Sequence, residues 1–214
     1  RPCAARRRVV FGAANIGMAF AASAATTMIN HFRVGAIVFT GVAGGLKEGQ
    51  RIGDIVLGKD VVNYEMDARQ FKKPWDPTYE YQLGEIPLLD WRFFDADPGL
   101  LALALEVTPP SGVTVHSGRV ASGSVFVGTE QKKGWASTVW EPLGWPDACE
   151  MENAGVATIC RAYSVPYLSL RALSDVVEGD VNDDFNAFCQ RAADSLFPFV
   201  LHVVKNCDVK SRDA

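Results

Sequence analysis

The run Ala36-Ile37-Val38-Phe39-Thr40, leading into Gly41-Val42-Ala43-Gly44-Gly45, constrains the fold more than any other stretch of the chain. Apolar side chains without alternation suit a strand covered on both faces, which calls for helices on either side of a sheet. The glycines after it carry no Cβ, so the backbone there can approach a ligand or a neighbouring strand closely. A second such run, Pro166–Arg171, ends in Ala172-Leu173-Ser174-Asp175. Around these two, apolar spacing predicts helices over 15–32, 99–107, 151–163 and 183–204, and strands over 8–11, 36–40, 54–58, 60–64, 113–121 and 166–171. Asn182 is the expected N-cap of the last helix, with Asp183 and Asp184 in its first turn, and Pro198 is expected to kink or interrupt it. The proline- and aromatic-rich stretch 72–99 reads as an irregular excursion. One mixed α/β domain over residues 1–214 is the expectation.

Composition removes several classes of function. A net charge of −4 leaves no footprint for nucleic acid, and Arg6-Arg7-Arg8 is too short to change that. No apolar run approaches membrane-spanning length, so no membrane partner is expected. The five cysteines (3, 149, 160, 189, 207) are odd in number and never spaced as C-x-x-C. Free thiols in a reducing cytoplasm fit that pattern better than a disulfide framework or a zinc site. His31, His116 and His202 are scattered, and each reads as a packed or surface residue. Neither a metal nor a cofactor is expected. Gly41–Gly45 lacks the Lys-Ser/Thr of a phosphate-binding loop and the spacing of a dinucleotide fingerprint.

Carboxylates carry the chemical signal. Asp175 follows a buried strand directly, where ligands collect in α/β sheets, and Ser174 beside it could orient a proton. It could equally cap the next turn. A partly desolvated carboxyl can hold a proton near neutrality and serve as a general acid. In Cys149-Glu150-Met151-Glu152, two acids lead into the small-residue segment Asn153-Ala154-Gly155. Their structural role would be to favour the helix dipole. Their functional role would be to accept ribose hydroxyls, with the Met151 thioether against the sugar face.

Taken in order along the chain, several phrases resemble the nucleoside phosphorylase/nucleosidase superfamily, and most of all its 5′-methylthioadenosine/S-adenosylhomocysteine nucleosidases. They are Asn15-Ile16-Gly17, Thr40–Gly45, Ile52-Gly53-Asp54-Ile55-Val56, Tyr64-Glu65-Met66-Asp67-Ala68-Arg69, Ser122-Gly123-Ser124-Val125-Phe126-Val127, Met151–Gly155 and Arg171–Asp175. The resemblance implies a three-layer α/β sandwich around a twisted mixed sheet, dimeric in the nucleosidase branch. It implies that Asp175 protonates the purine at N7 with help from Ser174. Glu152 and the Met151 backbone, with Glu150 and Arg171 close by, would hold the ribose. Phe126 would stack on the base, the Val127 backbone would read its edge, and Phe185 would lie near the 5′-substituent. Val42, which replaces a Ser common in the nucleosidases, would belong to the substrate site.

Departures from the family pattern narrow the reaction. Phosphorylases of the superfamily hold phosphate with an Arg and a Ser, where this chain has Phe39 and Val42. Neither side chain can bind an anion, which favours water as the acceptor. Ser124 stands where an Asp is usual, and Met18 where a Lys often follows Ile-Gly. The nucleosidases place their attacking water with a Glu in an N-terminal Gly-x-Met-x-x-Glu segment, whereas the first Glu here is Glu48. Two expectations follow: an N-terminally incomplete chain, or a divergent member with weakened hydrolysis. The leading function is adenine release from a purine nucleoside by a cytoplasmic homodimer. The alternatives are a phosphate-dependent phosphorylase and a nucleoside-binding relative of the plant storage proteins.

Overall fold

A computed structural model of the chain describes residues 8–176 and 185–209, without the side chains of 185 and 186. In chain order the elements are α1 (Met18–Asn30), β1 (Ile37–Gly45), β2 (Ile55–Asn63), β3 (Phe94–Asp95), α2 (Pro98–Leu105) and β4 (Val115–Ser122). Then follow α3 (Thr129–Gly134), a π-helical turn at Ala136–Trp140, β5 (Ala148–Glu150), α4 (Asn153–Ala162), β6 (Tyr167–Asp175) and α5 (Phe185–Asn206).

The strand order is β3-β2-β4-β5-β1-β6, and β6 pairs back onto β2. The expected twisted mixed sheet is present, and its twist carries it to closure. β1–β6, β2–β4 and β4–β5 are parallel, while β1–β5, β2–β6 and β2–β3 are antiparallel. Strand β2 makes closure possible. Its first half, Ile55–Gly58, borders β6, and its second half, Asp60–Val61, borders β3. Between them the register against β4 slips at Gly58/Asp60. Before that bulge Ile55 and Leu57 face one core cluster and Val56 the other; beyond it Val61 faces the side that Val56 faces. One inserted residue re-phases the period-two alternation and bends the strand. The expected pair of strands around a glycine is therefore one strand with a bulge.

Helices cover the sheet on two sides. Ala21, Ala25 and Ile29 of α1, with Ala154, Ala157 and Cys160 of α4, pack with Val56, Val61 and Val120. Small side chains on both helices let them dock closely on each other and on the sheet. On the other side Leu100 and Ala104 of α2 and Phe188, Leu196, Phe199 and Val203 of α5 cover Ile55, Leu57, Leu168 and Leu170. A third cluster gathers Val62, Tyr64, Leu83, Val127, Trp140 and Leu143 beneath the excursion and the 123–145 segment.

One expectation fails here, and of a second, at Pro198, the interruption does. Residues 8–11 form no strand, and Phe11 is 82% exposed. Strand β1 is bordered by β6 along its length and by β5 only at Gly44 and Gly45. Helix α5 continues through Pro198. The proline forfeits one hydrogen bond to the Asp194 carbonyl, while buried Leu196, Phe199 and Val203 anchor the helix on both sides of it. Asn182, Asp183 and Asp184 lie outside the described residues.

Candidate active site

Four strand ends meet at one end of the closed sheet. Gly44 of β1 pairs with Asp175 of β6 and with Cys149 of β5, and Ser122 of β4 pairs with Glu150 of β5. Between Ala43 and Gly44 the β1–β6 register slips, so that Leu173 faces Ala43, Asp175 faces Gly44, and Ser174 has no partner across the ladder. The slip turns Ser174 toward its neighbour. Its hydroxyl donates to Asp175 Oδ1 at 2.9 Å and reaches the Ala43 carbonyl at 3.3 Å.

Asp175 Oδ2 forms an ion pair with Lys132 of α3, whose side chain is 1% exposed. Sequence reading missed Lys132 altogether. Thr129-Glu130-Gln131-Lys132-Lys133 looks like a solvated polar face, and only the tertiary path of α3 separates buried Lys132 from its neighbour Lys133.

Glu150 lies beneath this level, its side chain 3% exposed. Its carboxylate accepts from the Ser122 hydroxyl at 2.5 Å, from the N–H of Glu152 at 3.0 Å and of Asn153 at 2.9 Å, and pairs with Arg171 Nη2 at 3.0 Å. Burial pushes this carboxyl above its ordinary range, against the opposing pull of Arg171 and the Ser122 hydroxyl. The two N–H groups are orphan donors at the start of α4, so Glu150 caps that helix from outside. Arg171, 2% exposed, lies over the Phe39 ring at 4.5 Å. With its amide turned so that oxygen faces the guanidinium, Asn153 accepts from Arg171 Nε at 2.8 Å and Nη2 at 3.0 Å. Gly41 makes room for this, since a Cβ there would sit 1.9 Å from Nη1. Both Glu150 and Arg171, expected beside the ribose, are committed to each other and to the protein around them.

Glu152 and Met151 sit one level out, half-buried, at the entry to α4. Glu152 Oε1 accepts the N–H of Gly17 at 2.8 Å, which brings the start of α1 to the acid. From β4 the segment Gly123–Val127 rises beside them, with the Gly123 N–H donating to the Glu150 carbonyl at 3.1 Å. Tyr64 supports this segment: its ring lies against Gly123, and its hydroxyl donates to the Val125 carbonyl at 3.0 Å. Val127 is buried in the third cluster, whereas Phe126 is 66% exposed. Val42 is half-buried and packs toward the α2/α5 core. The side chain of Phe185 lies outside the described residues. Cys149, between Gly44 and the acids, is a buried thiol that burial pushes up to about 12. The structure thus gathers Asp175, Ser174, Glu150, Arg171, Met151 and Glu152 at one strand-end cluster. Open clefts of about 370 Å³ and 520 Å³ elsewhere carry none of these side chains.

Among the described residues no group of His, Cys, Asp and Glu is placed to hold a metal ion, and no helix is long and apolar enough to cross a membrane. Fold and site together define an α/β protein with carboxylates gathered at the ends of its strands, the place where α/β sheets commonly take ligands. The model of the Phosphorylase superfamily matches residues 4–205, and the chain belongs to that family. It is 32% identical over 201 residues to the 5′-methylthioadenosine/S-adenosylhomocysteine nucleosidase of Staphylococcus saprophyticus, covering 93% of this chain and 82% of the relative. Among solved structures it superposes on the same type of nucleosidase from Colwellia psychrerythraea, in complex with adenine, with TM-score 0.76 and 27% identity over 89% of this chain and 75% of that one. The native futalosine hydrolase of Helicobacter pylori is similar too, with TM-score 0.74 and 31% identity over 91% of this chain and 78% of that one.

Proposed function

We propose that this protein hydrolyses the N-glycosidic bond of a purine nucleoside of the 5′-methylthioadenosine or S-adenosylhomocysteine type and releases adenine. The observation that carries the proposal is the Ser174–Asp175 pair on its bulge at the end of β6, with Glu152 at the neighbouring strand end. The similarity to nucleosidases supports the substrate class.

In this reading Asp175 delivers a proton to N7 of the purine, and Ser174 holds the carboxyl in the orientation that delivery requires. Cleavage passes through an oxocarbenium-like state, so a neutralised leaving group lowers the barrier. Glu152 retains lone pairs beyond the one used by Gly17 and can accept ribose hydroxyls, with Met151 against the sugar. Phe126 stacks on the base, and the Val127 backbone reads its edge. Glu150 and Arg171 act from beneath by fixing the start of α4. Water is the acceptor: Phe39 carries no charge, and the one guanidinium beside it is engaged by Glu150.

Exposed Phe11, Ile16 and Phe20 at the entry to α1 support a second copy of the chain as partner. Free Cys149 and Cys160 support a reducing, cytoplasmic setting.

The test is chromatography of free adenine released from 5′-methylthioadenosine with and without phosphate. Adenine should appear at equal rates in both, and Asp175→Asn should slow it by about 100-fold or more. Release only with phosphate, or full activity in Asp175→Asn, refutes the reading.

A further inference from the structure

We propose that Lys132 is a positioning residue for this hydrolysis and supplies, through Asp175, the proton that the departing purine takes. The inference rests on the nucleosidase reading and extends it to a residue outside the strand-end acids.

Its basis is geometric. The Lys132 side chain is 1% exposed, and its pairing with the Asp175 carboxylate is not an incidental surface contact: the Asp175 side chain is itself only 13% exposed. A buried ammonium is strongly destabilising without a counter-charge, so the pair holds together as a unit. The fold builds the position deliberately. Trp140 Nε1 donates to the Lys132 carbonyl at 2.8 Å and pins the turn of α3 that carries it. Gly44 leaves the space: a Cβ there would stand 3.0 Å from Nζ and 2.9 Å from Asp175 Oδ2. With Ser174 donating to one carboxylate oxygen and Lys132 to the other, Asp175 is an acceptor on both sides. Nζ is the group of the pair that carries protons in excess.

The step balances. The C1′–N9 bond breaks and its electron pair stays with the base. The base takes a proton at N7 from Asp175, and Asp175 takes one from the Lys132 ammonium, leaving a neutral amine. Water adds its oxygen to C1′, and the proton it sheds restores the ammonium. Other titratable groups face the pair without entering the exchange. Cys149 of β5, which interacts with both members of the pair, is a thiol that burial keeps neutral, and Glu150 is held by Arg171.

The experiment measures kcat and KM for 5′-methylthioadenosine across pH in the wild type, Lys132→Arg and Lys132→Met, with thermal melts to establish folding. Arginine keeps the ion pair but cannot release a proton. Lys132→Arg should therefore lose about 10-fold or more in kcat with KM within about threefold. Lys132→Met should lose activity on the alkaline side at least about one pH unit earlier than the wild type. The wild type alone should stay active above about pH 8, beyond the range of a lone carboxyl, and this readout requires no variant to fold. Lys132→Arg with wild-type kcat and pH profile overturns the inference while leaving the nucleosidase reading intact. A wild type whose activity is already lost as pH rises through about 7 overturns it too. A wild type that releases no adenine at any pH overturns the nucleosidase reading itself.

Discussion

Replacing Glu150 by glutamine tests how the site is held together. The substitution keeps shape and volume and removes one charge. Four donors converge on this carboxylate: the Ser122 hydroxyl, the N–H groups of Glu152 and Asn153, and Arg171 Nη2. A glutamine oxygen can take two of them, while its NH2 must face the others donor to donor. Removing one partner of a buried ion pair costs about 3–5 kcal/mol, because the remaining charge is stranded. A buried donor left without an acceptor costs about 1–3 kcal/mol. The two penalties share Arg171 and do not add, so the expected loss is about 4 kcal/mol. Urea unfolding followed by the fluorescence of Trp140, which is 2% exposed, reads this loss directly. The double variant Glu150→Gln, Arg171→Met strands no charge and should recover about 2 kcal/mol or more of it. A Glu150→Gln protein within about 1 kcal/mol of the wild type, or a double variant worse than the single one, refutes the account of Glu150 as a saturated hub.

Gly41→Ala places a methyl 1.9 Å from Arg171 Nη1 and forces the guanidinium off Glu150. Stability should fall by about 2–4 kcal/mol, read by urea unfolding, with a weaker KM because the start of α4 loosens. Asp54 governs acid stability. Burial opposes its charge, but the His116 ring at 3.1 Å and the N–H groups of Thr114 and Arg51, each at 3.0 Å, overcome it and hold the carboxyl below its ordinary range. A carboxyl depressed by folding contributes stability above its unfolded value, near pH 4, and loses it as pH falls through the folded value. Asp54→Asn should cost about 1–2 kcal/mol at pH 7 and converge with the wild type toward about pH 2. An equal gap at both pH values would contradict this.

How much of this was legible in the sequence follows from which forces acted locally. Strands β1 and β6 are continuous apolar runs, and α2, α4 and α5 bury regularly spaced side chains, so their own residues announce them. The acids at Asp175 and Glu152 were legible because a polar residue directly after a buried strand stands at its end. Closure of the sheet was not legible, since it depends on β2 pairing with β6 across more than half the chain. Nor was the three-residue strand β5, whose ladder with β4 draws on no propensity of its own. The same distance hid the task of Glu150: nothing within its run separates an acid that faces the sugar from one that faces Arg171. Lys132 escaped for a related reason. Its burial is decided by Gly44 and Asp175 on other strands, and adjacent Lys133 shows how little the local sequence says about it.

The most direct test of the central claim is mass spectrometry of the sugar formed from 5′-methylthioadenosine in heavy-oxygen water. If the protein breaks the glycosidic bond with water as acceptor, the free sugar gains one heavy oxygen as adenine appears, with or without phosphate present. Asp175→Asn should suppress both products together. A phosphorylated sugar, or an unlabelled one, would contradict the account.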